Sequence, residues 1–403
     1  MLLFYLTLCA VGTVFLIQPT VANLQSFKTG PVAKGPQRVI VILVEFPDKK
    51  HSTSAEVIQR TVFRDLDSFY QEASYGLMSI TGDIRNVWYQ TQTPLNKLNL
   101  QEWTYNESDM RIFEREAIQA ANKDVDYRNY NFAIIVAAGQ VWSHAACDFD
   151  VPTKEGVKSL RGIVVNERAP LGTYAHELGH VLPSNYAPRH GCGLPDLYSY
   201  EAAEKGEDPN VFVGPWDIMG ENNPPRQFSA WSKIEFGWIT PEVVQPGASV
   251  ALPITLEPIE GDSGTRALVV PISSVKSYVI EVRRQIGYDR NLPSEGVLVY
   301  LIDLSKKNGY GPVEVVNSHP EMLTLEGAPY SQGAFLANPT SDLYIAVAYA
   351  NGVGYFSCSA GGDSHSVDDT NSARLLGKGL LMQDERALFA LAHITFSVIV
   401  DLT

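Results

Sequence analysis

The sequence predicts a mixed α/β region followed by an all-β region. Three stretches carry that expectation. Arg38 to Phe46 (RVIVILVEF) is a continuous apolar run of strand length, as a strand buried on both faces requires. Ser54 to Ala73 places Val57, Ile58, Val62, Phe63, Leu66, Phe69 and Tyr70 at three- and four-residue spacings, the pattern of an amphipathic helix packed on a sheet. After Trp238, Pro241, Pro246, Pro253 and Pro258 punctuate short runs rich in strand formers, and helical periodicity largely stops.

Between these stretches the remaining elements follow in order. Leu77 to Tyr89 alternates as a strand pair, Glu107 to Ala121 as a second amphipathic helix, and Asn131 to Ala138 as another buried strand. Leu160 to Val165 reads as a short strand, Pro170 to Thr173 as a turn able to cap a helix, and Tyr174 to Leu182 as that helix. Beyond Trp238, strands are expected at 250–256, 267–271, 277–282, 296–302, 343–350 and 393–402, and a β-sandwich is the expected arrangement.

The predicted helix contains His176-Glu177-Leu178-Gly179-His180, an H-E-x-x-H pattern. Side chains four apart lie one turn above each other, so both imidazoles reach one ion. Glu177 then projects beside it as a candidate general base. This is the pattern of zinc hydrolases. A purely structural zinc site has no use for the carboxylate.

The chain carries a formal net charge of -14 over 403 residues, which argues against nucleic acid or an anionic membrane as the main partner. Leu2 to Ile17 is almost wholly apolar and leads through Pro19 to Thr20-Val21-Ala22, a small-x-small cleavage pattern. A signal peptide over 1–22 and an exported protein without stable membrane association follow, although no Lys or Arg precedes the run. Past that segment the cysteines are Cys147, Cys192 and Cys358; an odd number in an oxidising compartment suggests one bridge and one thiol. Cys147 with Cys192 is the favoured pair. Asn106-Glu107-Ser108 is a glycosylation acceptor. The length suggests two units, 23–245 and 246–403. Aspartates between Gly361 and Asp369 form a weak candidate calcium loop.

Several motifs agree in order with one family. GLPDLY at 193–198 and WDIM at 216–219 join RVIVILVEFPD at 38–48, FYQEASYGLMSITG at 69–82, VWSH at 141–144, FSAWSKIEFGW at 228–238 and YVIEVRRQIGYDRNLPSEGVLVYLID at 278–303. Over about Arg38 to Asp303 the chain resembles the immune inhibitor A family of secreted zinc metallopeptidases. The resemblance implies a zincin-like catalytic domain, bound zinc and cleavage of protein or peptide substrates. In the family's usual spacing a Gly lies three residues beyond the second His and an acidic ligand three further on. Here those places hold Pro183 and Tyr186. The pattern returns if 183–192 is an insertion, which makes Asp196 the first choice for third ligand, ahead of His190 and of Asp217 or Glu235.

The resemblance also makes Met219 an apolar floor beneath the metal. His144 reads as a satisfied structural histidine, and Tyr198 and Tyr200 as wall residues or donors to a developing oxyanion. Asn23 to Gln37 is too short for a folded prodomain, so activity without extensive maturation, or inhibition by this short segment alone, is expected. A zinc endopeptidase with Glu177 as base is the leading expectation. Its rivals are an inactive binding module that keeps the zinc fold and a zinc hydrolase acting on glycans.

Overall fold

The computed structural model describes residues 32–101, 106–186, 193–244 and 254–331, and the backbone of 335–338, 343–350 and 395–402. The expected signal segment, His190, Cys192, Cys358, the expected loop at 361–369 and the expected boundary at 245/246 all lie outside the described residues. Among those described, no helix is long and apolar enough to cross a membrane.

The chain folds as a mixed α/β protein with two mixed sheets. The first has the order β2-β1-β3-β5-β4, from β1 (Gly35–Glu45), β2 (Met78–Gln90), β3 (Phe132–Ala137), β4 (His144–Thr153) and β5 (Gly156–Asn166). β2, β1, β3 and β5 run parallel, while β4 pairs antiparallel with β5 at the edge. The central strands are apolar throughout because both faces are covered. Val39, Val41, Leu43, Ile134, Val136, Ile163 and Val165 enter one buried cluster with Ile58, Val62, Leu66 and Phe69. These last four come from α1 (Ala55–Arg60), a π-helical stretch (Thr61–Leu66) and α2 (Asp67–Ala73). The alternate residues Ile40, Ile42, Val44, Ala133 and Ile135 pack on the other side against Met110, Phe113 and Ile118 of α3 (Glu107–Ala121).

Two local expectations are corrected. Residues 78–90 form one strand rather than a strand pair. At Gly82 a Cβ would lie 1.9 Å from the Val39 carbonyl oxygen, so the glycine lets β2 approach β1 within the ladder. The metal-bearing helix, α4 (Leu171–Val181), starts earlier than expected, with Pro170 at its N-cap and no side-chain cap. Tertiary burial holds this helix instead. Tyr174, Ala175, Leu178 and Val181 are all buried in the cluster shared with the first sheet, each larger aliphatic contributing about 1.5–3 kcal/mol. Gly172 accommodates a crossing segment, since a Cβ there would lie 1.6 Å from the Asn222 carbonyl oxygen.

The second sheet has the order β11-β10-β9-β8-β6. It comprises β6 (Glu242–Val243), β8 (Leu268–Pro271), β9 (Lys276–Arg283), β10 (Gly296–Asp303) and β11 (Val313–Val315); β6 is parallel to β8 and the other pairs are antiparallel. A further antiparallel sheet orders β12 (Phe335–Asn338), β13 (Leu343–Ala350), β14 (Thr395–Leu402) and β7 (Ile254–Leu256). One face of the second sheet, through Val269, Val279, Leu298, Tyr300 and Ile302, joins the same buried cluster as α4, Trp216 and Trp231. The strands after residue 254 therefore help enclose the helix that carries the H-E-x-x-H pattern.

Cys147, on β4, is disulfide-bonded. Asn106 caps α3, its side-chain oxygen accepting from the amides of Ser108 (2.9 Å) and Asp109 (3.3 Å). That role accounts for an asparagine at this position independently of glycosylation.

Candidate metal centre

α4 presents His176 and His180 from one face, one turn apart, and both are buried. Asp196 joins them from the segment after the helix. Pro183 cannot continue a helix, and Leu182 turns the chain into extended conformation. The backbone returns at Gly193, whose amide donates to the His180 carbonyl, while the Leu194 amide donates to Gly179 O at 3.0 Å. The chain thus leaves the helix at Leu182 and is back against its last turn at Gly193. Three residues later Asp196 faces the histidines, consistent with the insertion read from the sequence.

The geometry is tight. His176 Nε2 lies 3.1 Å and His180 Nε2 3.2 Å from Asp196 Oδ1, and the two Nε2 atoms are 3.2 Å apart. His176 Nδ1 bonds the Ile218 carbonyl at 2.9 Å and His180 Nδ1 the Leu194 carbonyl at 2.7 Å. A carbonyl only accepts, so both Nδ1 atoms are donors. In neutral rings this leaves a lone pair on each Nε2. Two lone pairs and a carboxylate oxygen therefore converge on one point, an arrangement that calls for a cation. The same fact shows in the titration behaviour without metal. Burial opposes charging His180, but the Asp196 carboxylate raises its pKa to about 9. Burial likewise opposes ionising Asp196, yet the His180 charge and the two histidine contacts hold it well below the carboxylate range.

These three residues form a buried group able to hold a metal ion, their ligand atoms all within 4.8 Å of one another. The chain matches no protein-family model and no curated protein. The donor chemistry is therefore the direct guide to the site. Around a tetrahedral ion with bonds of about 2.0–2.1 Å, donor atoms stand roughly 3.3 Å apart, close to the observed separations. Calcium prefers six to eight oxygens at longer range, and a group dominated by imidazole nitrogens does not suit it.

Glu177, between the two histidines in sequence, is 7 % exposed. Its burial raises its proton affinity, partly offset by His176 and His180. Beneath the helix, a Cβ on Gly179 would lie 2.7 Å from Met219 Sδ. The glycine inside H-E-L-G-H thus lets the methionine sulfur pack directly under the ligand turn, as expected of an apolar floor. The Leu197 amide donates to the Met219 carbonyl at 2.8 Å, so the same turn steadies the Asp196 segment.

Other candidates find different places. Asp217 Oδ1 accepts from the Met219 amide (2.8 Å), while Oδ2 accepts from the Ser229 amide (2.9 Å) and Ser232 Oγ (2.6 Å), so one oxygen braces its own turn and the other the start of α5 (Ala230–Glu235). Glu235 lies outside the metal-capable group, and its carbonyl receives the Asn185 amide at 2.7 Å. His144 pairs with buried Glu114 at 2.8 Å and bonds the Trp142 carbonyl at 3.2 Å. The Tyr198 ring stacks over His176 with centroids 6.1 Å apart. Tyr200 is corrected: its hydroxyl donates to Asp196 Oδ2 rather than into the cleft. Sequence reasoning missed the next partner altogether. Asn308 lies 112 residues from Asp196 in the chain, and its only local signal is Asn308-Gly309, an ordinary turn pair.

Gly193 offers a direct test of the re-docking geometry. A Cβ at this position would lie 2.4 Å from Gly179 O and 2.6 Å from His180 O, both backbone atoms that cannot swing away. Gly193→Ala is expected to cost about 1–3 kcal/mol of stability and to weaken metal binding. Thermal unfolding together with zinc titration reads both.

Proposed function

We propose that the protein is a secreted zinc-dependent endopeptidase resembling immune inhibitor A, with a zincin-like catalytic region and a β-sandwich-like C-terminal region. The observation that carries this reading is the convergence of His176 Nε2, His180 Nε2 and Asp196 Oδ1 within 3.2 Å beside a buried glutamate on the same helix. His176, His180 and Asp196 would hold zinc. No fourth His, Cys, Asp or Glu joins the group among the described residues, and three protein ligands are the number that catalytic zinc sites use.

Bound zinc supplies Lewis acidity, polarising a carbonyl and making water more acidic. Glu177 takes the proton of the attacking water on its carboxylate and returns it to the departing amine. Its burial favours that exchange by raising its proton affinity. The Ile218 and Leu194 carbonyls fix the imidazole orientations through Nδ1, as outer-shell partners of zinc ligands do. A peptide substrate suits the first sheet, because among the described residues β4 is an edge strand with one side unpaired, and an extended peptide can add to such an edge.

Metal analysis of the purified secreted protein, paired with a broad protein-substrate assay, tests the reading. About one zinc per chain and cleavage abolished by chelation, then restored by added zinc, is the expected result. A chain that binds zinc and cleaves no protein substrate would point to a binding module. A chain that binds no zinc ends the proposal.

A further inference from the structure

The loop between β10 and β11 reaches back to the metal centre and closes a ring of hydrogen bonds around Asp196. The Asp196 amide donates to Asn308 Oδ1 at 2.6 Å, Asn308 Nδ2 donates to the Tyr200 hydroxyl oxygen at 2.9 Å, and that hydroxyl donates to Asp196 Oδ2. Backbone bonds reinforce it: the Tyr200 amide donates to Gly309 O at 3.1 Å and the Gly309 amide to Asp196 O at 3.4 Å. Gly309 has φ +73°, and a Cβ there would lie 2.4 Å from the Tyr200 ring. Only glycine lets the ring settle against this loop.

The ring has a single direction, which follows from its one fixed donor. A backbone amide can only donate, so the Asn308 side chain must turn its oxygen to Asp196 N and its NH2 group to Tyr200. The Tyr200 oxygen then accepts, and its proton points to Asp196 Oδ2. This occupies Oδ2 and leaves Oδ1, the atom 3.1–3.2 Å from the two imidazole nitrogens, as the metal-facing oxygen.

We propose that Asn308 is a positioning residue for the metal: acting through Tyr200, it orients Asp196 as a one-oxygen ligand, so that a loop of the second sheet sets metal affinity. The inference rests on the zinc reading of the site. Asn308 is exposed, so its contribution is direction rather than burial. Outer-shell partners of this kind typically change metal affinity 10- to 100-fold, and for an exposed one the lower end applies.

The test uses the full chain and three charge-neutral variants, Asn308→Ala, Tyr200→Phe and the double substitution, with zinc affinity measured by competition against a chelator. Each single variant is expected to bind zinc about 10-fold more weakly. The double variant should be no more than marginally worse than the weaker single one, because both act through one ring. Cobalt substituted for zinc gives a second readout: its visible spectrum should shift in both single variants as the carboxylate reorients, which a loss of general stability would not produce. Wild-type zinc affinity in Asn308→Ala, or additive losses with an unchanged cobalt spectrum, overturns the inference. If the unaltered chain binds no zinc, it is the zinc reading itself that fails.

Discussion

If the protein is the proposed zinc endopeptidase, Glu177→Gln is expected to lower peptide hydrolysis by roughly 10²- to 10⁴-fold while leaving zinc content unchanged. That range is the usual contribution of a positioned general base. The amide is nearly isosteric with the carboxylate and keeps the packing of a residue that is 7 % exposed, but it has no basic oxygen to accept a proton. The three metal donors lie on other side chains, so metal analysis should return the same stoichiometry. The loss should appear in kcat rather than in KM, since the carboxylate acts on the reacting water rather than on substrate binding. Wild-type turnover in Glu177→Gln would remove this residue from the chemistry and leave the metal cluster without its base.

Arg283→Ala has the largest expected effect on stability, although the residue never touches the metal cluster. Arg283 is wholly buried on β9, 3.1 Å from Glu281, 2.7 Å from Asp289 and 3.5 Å from Glu260, and it donates to the Trp216 carbonyl at 3.0 Å. Removing the guanidinium leaves three buried carboxylates with Lys233 as the remaining buried cation that interacts with them, a change worth about 3–5 kcal/mol. The loss should deepen as pH rises. Burial already raises the proton affinity of both Glu260 and Glu281, and without Arg283 they hold protons more tightly still. The folded chain then binds more protons than the unfolded one, so its stability falls as pH climbs above the ordinary glutamate value. Urea unfolding at pH 5 and pH 8 measures both the size and the slope; equal losses at the two values would contradict this account.

Much of the architecture was legible because burial on both faces writes itself into the residues. The runs at 38–46 and 131–138 could only be central strands, and the 54–73 periodicity could only face a sheet. β4 was not legible. Its residues HAACDFDVPT carry two aspartates and a proline, and they form a strand because they close a hairpin with β5 at an edge where one side stays unpaired. Within the site, the two histidines and Glu177 were readable because helical spacing alone brings them together. Asp196 needed the further step of setting 183–192 aside, and the ring through Asn308 lay beyond reach because no local pattern links residues that far apart.

The second sheet and its β9–β10 connection grip the half that carries the H-E-x-x-H helix at several points. Glu281 receives the Ala230 amide, Asp289 receives the Gln227 amide at 2.8 Å, and Arg283 holds the Trp216 carbonyl. Trp216 belongs to the same turn as Ile218, whose carbonyl orients His176. The H-E-x-x-H helix is accordingly not a cartridge that can be lifted out with the first sheet and moved to another scaffold. Anyone shortening this chain to a minimal enzyme, or grafting its metal helix elsewhere, must carry the later strands along as part of the working tool.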